Sequence, residues 1–182
     1  MTPDLTPELR QSLEDHLRIW RVDPVGHTET LVRLARRTSS VAGVPSLTAV
    51  GEHGEEVSRA GFARLVGALE DALGLEALSG VEAQVAAVQG MVRRLLADEV
   101  SPRELTYWVT RVVGLRGGRD AQELMALEEE YCERLGQDVT DLDARVRAAA
   151  ERLADAGPEE SRGRRTGLLA RWRREGRGAR SR

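Results

Sequence analysis

Apolar residues recur at helical spacing through most of this 182-residue chain, and this pattern constrains the fold more than any other feature. Leu5, Leu9, Leu13 and Leu17 follow one another at every fourth position, which places them on one face of an α-helix. The same period returns from Phe62 onwards. Aromatic residues, which strands favour, make up only 3% of the chain. The sequence therefore predicts an all-α fold.

Capping residues and glycines divide this pattern into segments. Ser101, Pro102 and Glu104 mark the clearest helix start, because a serine N-cap and a glutamate at the third helical position together satisfy free backbone amides. We expect helices over 6–20, 27–38, 62–73, 81–96, 102–113, 120–135 and 139–154. These segments predict a helical bundle of six or seven helices, packed around one core or divided into an N-terminal piece and a four-helix bundle.

Three regions differ in composition. Residues 1–80 are predicted to form an N-terminal helical region with an irregular loop at 39–57, where Gly, Pro and Ser interrupt the helical pattern. Residues 81–157 are predicted to form a C-terminal four-helix bundle. Gly90 stands in the middle of the first helix of this bundle, at a cost of about 1 kcal/mol relative to Ala, so we expect a close helix contact there. Residues 158–182 are predicted to be a disordered Arg-rich tail, because they contain too few apolar residues for a core.

Charge is distributed unevenly along the chain. Residues 1–160 carry 18 arginines against 29 acidic residues, whereas residues 161–182 carry nine arginines against one glutamate. Between Asp120 and Asp143 there are nine acidic residues and one base, Arg134. Such a surface attracts basic partners over long distances, although a solvated helix face is the simpler interpretation.

The candidate catalytic residues do not form a recognisable motif in the sequence. The histidines His16, His27 and His53 lie in different predicted elements, without metal-ligand or triad spacing, and we expect surface or packing roles for them. A site assembled from Asp15, His16 and Cys132 has no support from their spacing. A single cysteine excludes an intramolecular disulfide. We therefore predict a protein that is not an enzyme and that has no metal and no cofactor.

The sequence favours a cytoplasmic location. No run of residues approaches the 18 or so apolar residues that a membrane-spanning helix needs, and residues 1–10 lack the pattern of a signal peptide. The three apolar residues of the tail, Leu168, Leu169 and Trp172, are too few for stable membrane insertion.

The tail supports an alternative function. Arginines bind nucleic acid through counterion release, and a tryptophan can stack on a base. The candidate nucleic-acid-binding residues are Arg164, Arg165, Arg171, Trp172, Arg173 and Arg174. A solubilising tail, or one that folds back onto the acidic part of the chain, remains the open alternative.

Residues 91–153 resemble the small helical colicin D-type immunity proteins of bacteria. The resemblance lies in the motifs Val92–Ala97, Glu99–Ser101 with Glu104 and Leu105, the acidic segment Leu124–Arg134, and the segment Leu142–Arg147. It implies a helical protein that neutralises a nuclease toxin by placing an acidic face in the basic substrate cleft. On this basis the candidate partner-binding residues are Glu128, Glu129, Glu130, Asp138, Asp141 and Asp143. Residues 1–80 and the tail have no counterpart in that family.

Overall fold

In a computed structural model the chain folds into α-helices, and the structure describes residues 5–53, 57–114 and 118–155. No strand occurs in these ranges, so the predicted all-α class is confirmed. The helices are α1 (Pro7–Val22), α2 (Thr28–Ala42), α3 (Pro45–His53), α4 (Arg59–Leu73), α5 (Gly80–Leu96), α6 (Pro102–Trp108), α7 (Gly118–Glu133) and α8 (140–155). A short π-helix, Val109–Val113, continues α6.

The predicted irregular loop at 39–57 is wrong over most of its length, because α2 continues to Ala42 and α3 occupies Pro45–His53. Buried Leu47 and Val50 anchor α3 in the core. Gly51 lies inside this helix, and a larger residue would not fit there because its Cβ would lie 3.0 Å from the backbone nitrogen of Arg36 in α2. The glycine therefore marks a close helix contact rather than a break. Residues 54–56 lie outside the described residues.

Two hydrophobic cores share the described part of the chain. The first is enclosed by α1–α4 and contains Leu13, Leu17 and Phe62 among its buried residues. The second is enclosed by α5–α8 and contains Leu105 and Tyr131, together with Ile19 from the far side of α1. Helix α1 thus contributes to both cores, and the domain boundary predicted near residue 80 stays a prediction.

The most extensive contact between helices α1–α4 and helices α5–α8 is that of α1 with α5. At Gly90 a Cβ would lie 3.3 Å from the Cα, Cβ and carbonyl oxygen of Asp15, so the predicted close helix contact at this glycine is present. The small residue lets Arg93, one turn later, donate to the Asp15 carboxylate from Nε at 2.9 Å and from Nη2 at 2.5 Å. Asp15 is buried and Arg93 is partly exposed.

Helix α6 begins with the predicted capping box and ends at a polar contact with Asp23, the residue that follows α1. The capping box predicted at the start of α6 is present: Glu104 N–H donates to Ser101 Oγ at 3.2 Å, and Ser101 N–H donates to Glu104 Oε2 at 2.6 Å. At the other end of α6, Trp108 Nε1 donates to Asp23 at 3.2 Å, and Arg111 of the π-helix donates to the same carboxylate at 3.4 Å. Asp23, which follows α1, is thereby held by both donors.

The predicted disordered tail, residues 158–182, lies outside the described residues, as do the candidate nucleic-acid-binding residues within it. Within the described ranges no helix combines the length and apolar character that crossing a membrane requires.

Candidate functional site

Helices α7 and α8 form an antiparallel hairpin that carries the predicted partner-binding acids. Leu124 and Tyr131 of α7 and Leu142 and Val146 of α8 face the second core, which fixes the side of each helix that faces outward. The turn between the helices contains Gly136 at a φ of 81°, a conformation that glycine adopts without strain. Asp138 then accepts the backbone N–H of Thr140 at 3.0 Å and its hydroxyl at 2.7 Å, which orders the start of α8.

Three ion pairs join the hairpin along its outer seam at one constant antiparallel register. They are Arg134–Asp141, Glu130–Arg145 and Glu123–Arg152. The first two are bidentate, with two N···O distances of 2.8 Å for Arg134–Asp141 and distances of 2.5 and 2.7 Å for Glu130–Arg145. Hydrogen bonds from the arginines lower the pKa of Asp141 and of Glu130. Exposed pairs of this kind contribute little to stability, but they neutralise much of the predicted acidic face.

Glu128 is not on that face, which corrects one predicted partner-binding residue. The residue is 5% exposed, and its carboxylate accepts the Thr106 hydroxyl of α6 at 2.6 Å and the Cys132 thiol at 3.7 Å. The sequence carried the signal for this burial. Glu128 stands four residues after Leu124 and three before Tyr131, both of which are buried, so it occupies a position within the apolar stripe.

The other five predicted partner-binding residues differ in how far their carboxylates are free to bind a partner. Asp143 is half-buried and accepts the Tyr131 hydroxyl at 2.5 Å, and burial followed by this hydrogen bond raises the pKa of Tyr131. Glu130 and Asp141 are held by arginines, and the Asp138 carboxylate accepts from Thr140. Glu129 alone among the six is exposed without an ion pair or hydrogen bond to a described residue.

Sequence reasoning missed three further acids that share this availability. Glu133 on α7, and Glu151 and Asp155 on α8, are exposed and form no ion pair or hydrogen bond with the part of the chain that the structure describes. Glu129 and Glu133 are four residues apart, as are Glu151 and Asp155, so each pair forms a short acidic stripe on its helix. The i, i+4 spacing within each pair is the pattern in the sequence that identifies these acids.

A shallow groove lies along the seam of the hairpin. In the register of the three ion pairs, the Glu129–Glu133 stripe lies towards its Glu130–Arg145 end and the Glu151–Asp155 stripe towards its Glu123–Arg152 end. The volume of the groove is about 220 Å³, and its lining residues are Glu123, Ala126, Leu127, Glu130, Arg145, Ala148 and Arg152. The ion pairs Glu130–Arg145 and Glu123–Arg152 bound it at its ends, seven residues or about 10.5 Å apart along α7. Ala126, Leu127 and Ala148 provide an apolar floor. We call the groove together with Glu129, Glu133, Glu151 and Asp155 the outer face of the hairpin.

The turn between α7 and α8 also carries an exposed apolar residue. Leu135 in the turn after α7 is 66% exposed. Between residues 121 and 155 the chain carries ten acidic residues against four arginines, so the hairpin remains negative after its ion pairs are counted. An apolar centre with charged surroundings is the ordinary anatomy of a protein–protein interface.

The structure brings two of the three histidines together, which sequence spacing did not predict. His16 Nδ1 of α1 and His27 Nε2, next to the start of α2, lie 2.8 Å apart, and the ring centroids lie 4.9 Å apart with an angle of 26° between the ring planes. Both residues are buried, which agrees with the expected packing role. Burial lowers the pKa of His16 to about 4, and burial followed by repulsion from His16 lowers that of His27 to about 2. The His53 side chain lies outside the described part.

The arrangement that sequence reasoning considered for an enzyme is not assembled by direct contacts. Asp15 accepts from Arg93 and from Gln11, His16 pairs with His27, and the Cys132 thiol contacts Glu128. Across the described ranges no three His, Cys, Asp or Glu side chains are grouped in a way that could hold a metal ion.

Comparisons with protein-family models, with curated proteins and with solved structures find no match for this chain. By its fold and its outer face, the chain is an all-α protein with a charged helical hairpin at its surface. The resemblance of residues 91–153 to colicin D-type immunity proteins stays a prediction.

Proposed function

We propose that this chain is a non-enzymatic, cytoplasmic protein-binding module whose partner is a basic protein. The observation that carries the proposal is the composition of the outer face. Glu129, Glu133, Glu151 and Asp155 are exposed without a described partner, and they lie towards the two ends of a groove that has an apolar floor between ion-paired charged residues. Unpaired carboxylates are free to form charge-assisted hydrogen bonds with arginine or lysine, each worth roughly 1.5–3 kcal/mol before desolvation.

The ion-paired seam adds specificity to this surface. Arg145 and Arg152 fix the positions of Glu130 and Glu123 at the two ends of the groove, so a partner meets a defined pattern of charge. The volume of about 220 Å³ is below the range of roughly 300–1,000 Å³ that small-molecule sites occupy. It suits a single apolar side chain from a protein surface better than it suits a metabolite.

The specific form of the proposal is bacterial toxin immunity, and it rests on the resemblance of residues 91–153. In that form the partner is a nuclease toxin, and the outer face occupies the cleft that binds nucleic acid phosphates. The predicted partner-binding residues that remain candidate contacts are Glu129, Glu130, Asp138 and Asp141. Asp143 is half-buried, and Glu128 is no longer a candidate because it is buried. A neighbouring reading frame for a larger protein with a basic C-terminal domain would support this form.

The test is affinity capture from the native host at low salt, with the full chain as bait. The bait variant carries Glu129→Gln, Glu133→Gln and Glu151→Gln, which remove charge without disturbing a described ion pair. The control variant carries Glu8→Gln, Asp71→Asn and Glu76→Gln, three exposed acids on or near α1 and α4. We expect a basic protein that the wild type and the control retain and the hairpin variant loses. Equal retention by all three baits would refute the outer face as the binding surface.

The alternative function, nucleic-acid association through the tail, rests on the nine arginines in residues 161–182. It predicts that the full chain binds heparin at low salt and that a chain ending at residue 157 does not. Capture of nucleic acid rather than a basic protein by the full-length bait would favour this alternative.

A further inference from the structure

The outer face of the hairpin matches the chemistry of a segment of its own chain. Residues 161–182 carry nine arginines and one glutamate, and they include Leu168, Leu169 and Trp172. The outer face offers unpaired carboxylates towards both ends of a groove with an apolar floor. A basic segment that contains large apolar residues is complementary to it in charge and in polarity.

We propose that residues 161–182 dock on the outer face of the α7–α8 hairpin in the same molecule and cover the groove. Arginines of the segment pair with Glu129 and Glu133 at one end of the groove and with Glu151 and Asp155 at the other. Leu168, Leu169 or Trp172 fills the space above Ala126, Leu127 and Ala148. The existing ion pairs of the seam stay in place, because the contact uses carboxylates that have no described partner.

The path of the chain allows this contact. The last described residue, Asp155, is three positions after Arg152, which lines the groove. The 12 residues between Asp155 and Leu168 span at most about 45 Å when extended. Helix α7, at 16 residues, is about 24 Å long. The segment can therefore turn back and reach any part of the outer face without strain.

The intramolecular arrangement has a concentration advantage over a second molecule. A short linker holds the segment near the groove at an effective concentration in the millimolar range. Surface carboxylates and arginines that are individually weak partners in water can form a populated contact under these conditions. The contact weakens as salt rises, because both partners are solvent-exposed.

The proposal has a regulatory consequence, which rests on the proposed function. A basic protein that binds the outer face must displace residues 161–182 first. The segment then lowers the affinity for weakly basic proteins and leaves a strongly basic, shape-matched partner able to compete. Removing the segment's charge is expected to strengthen partner capture, whereas removing the hairpin's charge weakens it.

The experiment uses the full chain with a nitroxide attached to Cys132, the single cysteine, which is exposed on α7. Paramagnetic broadening of the backbone amides of residues 164–174 is measured by NMR at low salt. We expect strong broadening in the wild-type background and in the Glu8→Gln/Asp71→Asn/Glu76→Gln control. We expect loss of most of this broadening in the Glu129→Gln/Glu133→Gln/Glu151→Gln variant and at high salt.

Two results would overturn the proposal. One is broadening that is absent, or that is unchanged in the hairpin variant. The other is comparable broadening in isotope-labelled chains without the nitroxide when they are mixed with unlabelled, nitroxide-bearing chains, since this would assign the contact to a second copy. The measurement needs no partner, so a tail contact without capture of a basic protein would leave this inference standing while the proposed function fails.

Discussion

The hydrogen-bonded pair of His16 and His27 predicts a specific loss of stability in mild acid. The two rings share one hydrogen bond of 2.8 Å in a buried position, so one ring donates a proton and the other accepts it while both are neutral. The surroundings do not favour added positive charge. Arg94 of α5 opposes protonation of both rings, and the nearby carboxylate of Asp15 is already held by Arg93.

The magnitude follows from the difference between the folded and unfolded pKa values. The folded pKa is about 4 for His16 and about 2 for His27, against 6.5 in the unfolded chain. Below pH 6.5 the unfolded chain therefore binds protons that the folded chain does not, and stability falls as the pH falls. The stabilisation is complete above pH 6.5. Each histidine costs about 2 kcal/mol between pH 7 and pH 5, or about 4 kcal/mol for the pair.

This pH window separates the histidines from the acids. Glu130 and Asp141 have lowered pKa values through their arginines, so their contribution is lost as the pH falls below about 4.5, the ordinary range of carboxyl groups. Loss of stability between pH 7 and pH 5 therefore reports mainly on the histidine pair.

The assay is urea unfolding of the full chain, followed by far-UV circular dichroism at pH 7, 6 and 5. The reference is the variant His16→Asn/His27→Gln, whose amides stand near the positions of Nδ1 and Nε2 and keep a hydrogen bond without titrating. We expect the wild type to lose about 4 kcal/mol from pH 7 to pH 5, and the variant to lose only a small part of that. A wild type whose stability is flat over this range, or a variant that loses as much as the wild type, would show that the two histidines do not control stability in mild acid.

Three further predictions concern stability and use the same unfolding assay at pH 7. Gly67→Ala is expected to stabilise the fold by about 1 kcal/mol, because open space surrounds this helical position. Gly90→Ala should destabilise the fold by about 1–3 kcal/mol, because a Cβ there meets the α1 backbone. Similar effects at both positions would contradict the close contact at Gly90. Arg93→Ala should cost about 3 kcal/mol because it strands a buried carboxylate, and a loss under 1 kcal/mol would show that the carboxylate is solvated. Glu128→Lys should cost at least about 3 kcal/mol, while Glu129→Lys on the surface should stay within about 0.5 kcal/mol; equal effects would place both side chains in the same environment.

The elements of this fold were predictable where the information is local. The period of leucines in α1 and the capping box of Ser101 and Glu104 act within one or two helical turns, so they can be read without a partner structure. Helix α3 escaped prediction because Gly51 and its neighbouring Gly, Pro and Ser residues interrupt the helical pattern of the sequence, although Gly51 lies inside the helix. The reason for that glycine, the nearby backbone of Arg36, lies in another helix.

The candidate site divides in the same way. The number of acids in α7 and α8 is a property of the amino-acid sequence, and their spacing already indicates the burial of Glu128 and the free stripe of Glu129 and Glu133. Which acids are neutralised depends on helix packing, since the pairing of Glu130 with Arg145 requires the register in which the two helices pack. The meeting of His16 with His27 depends likewise on how α1 turns into α2. Periodicity is a property of a single helix, whereas a charge pair or a histidine pair exists only after packing has fixed the distance between two helices.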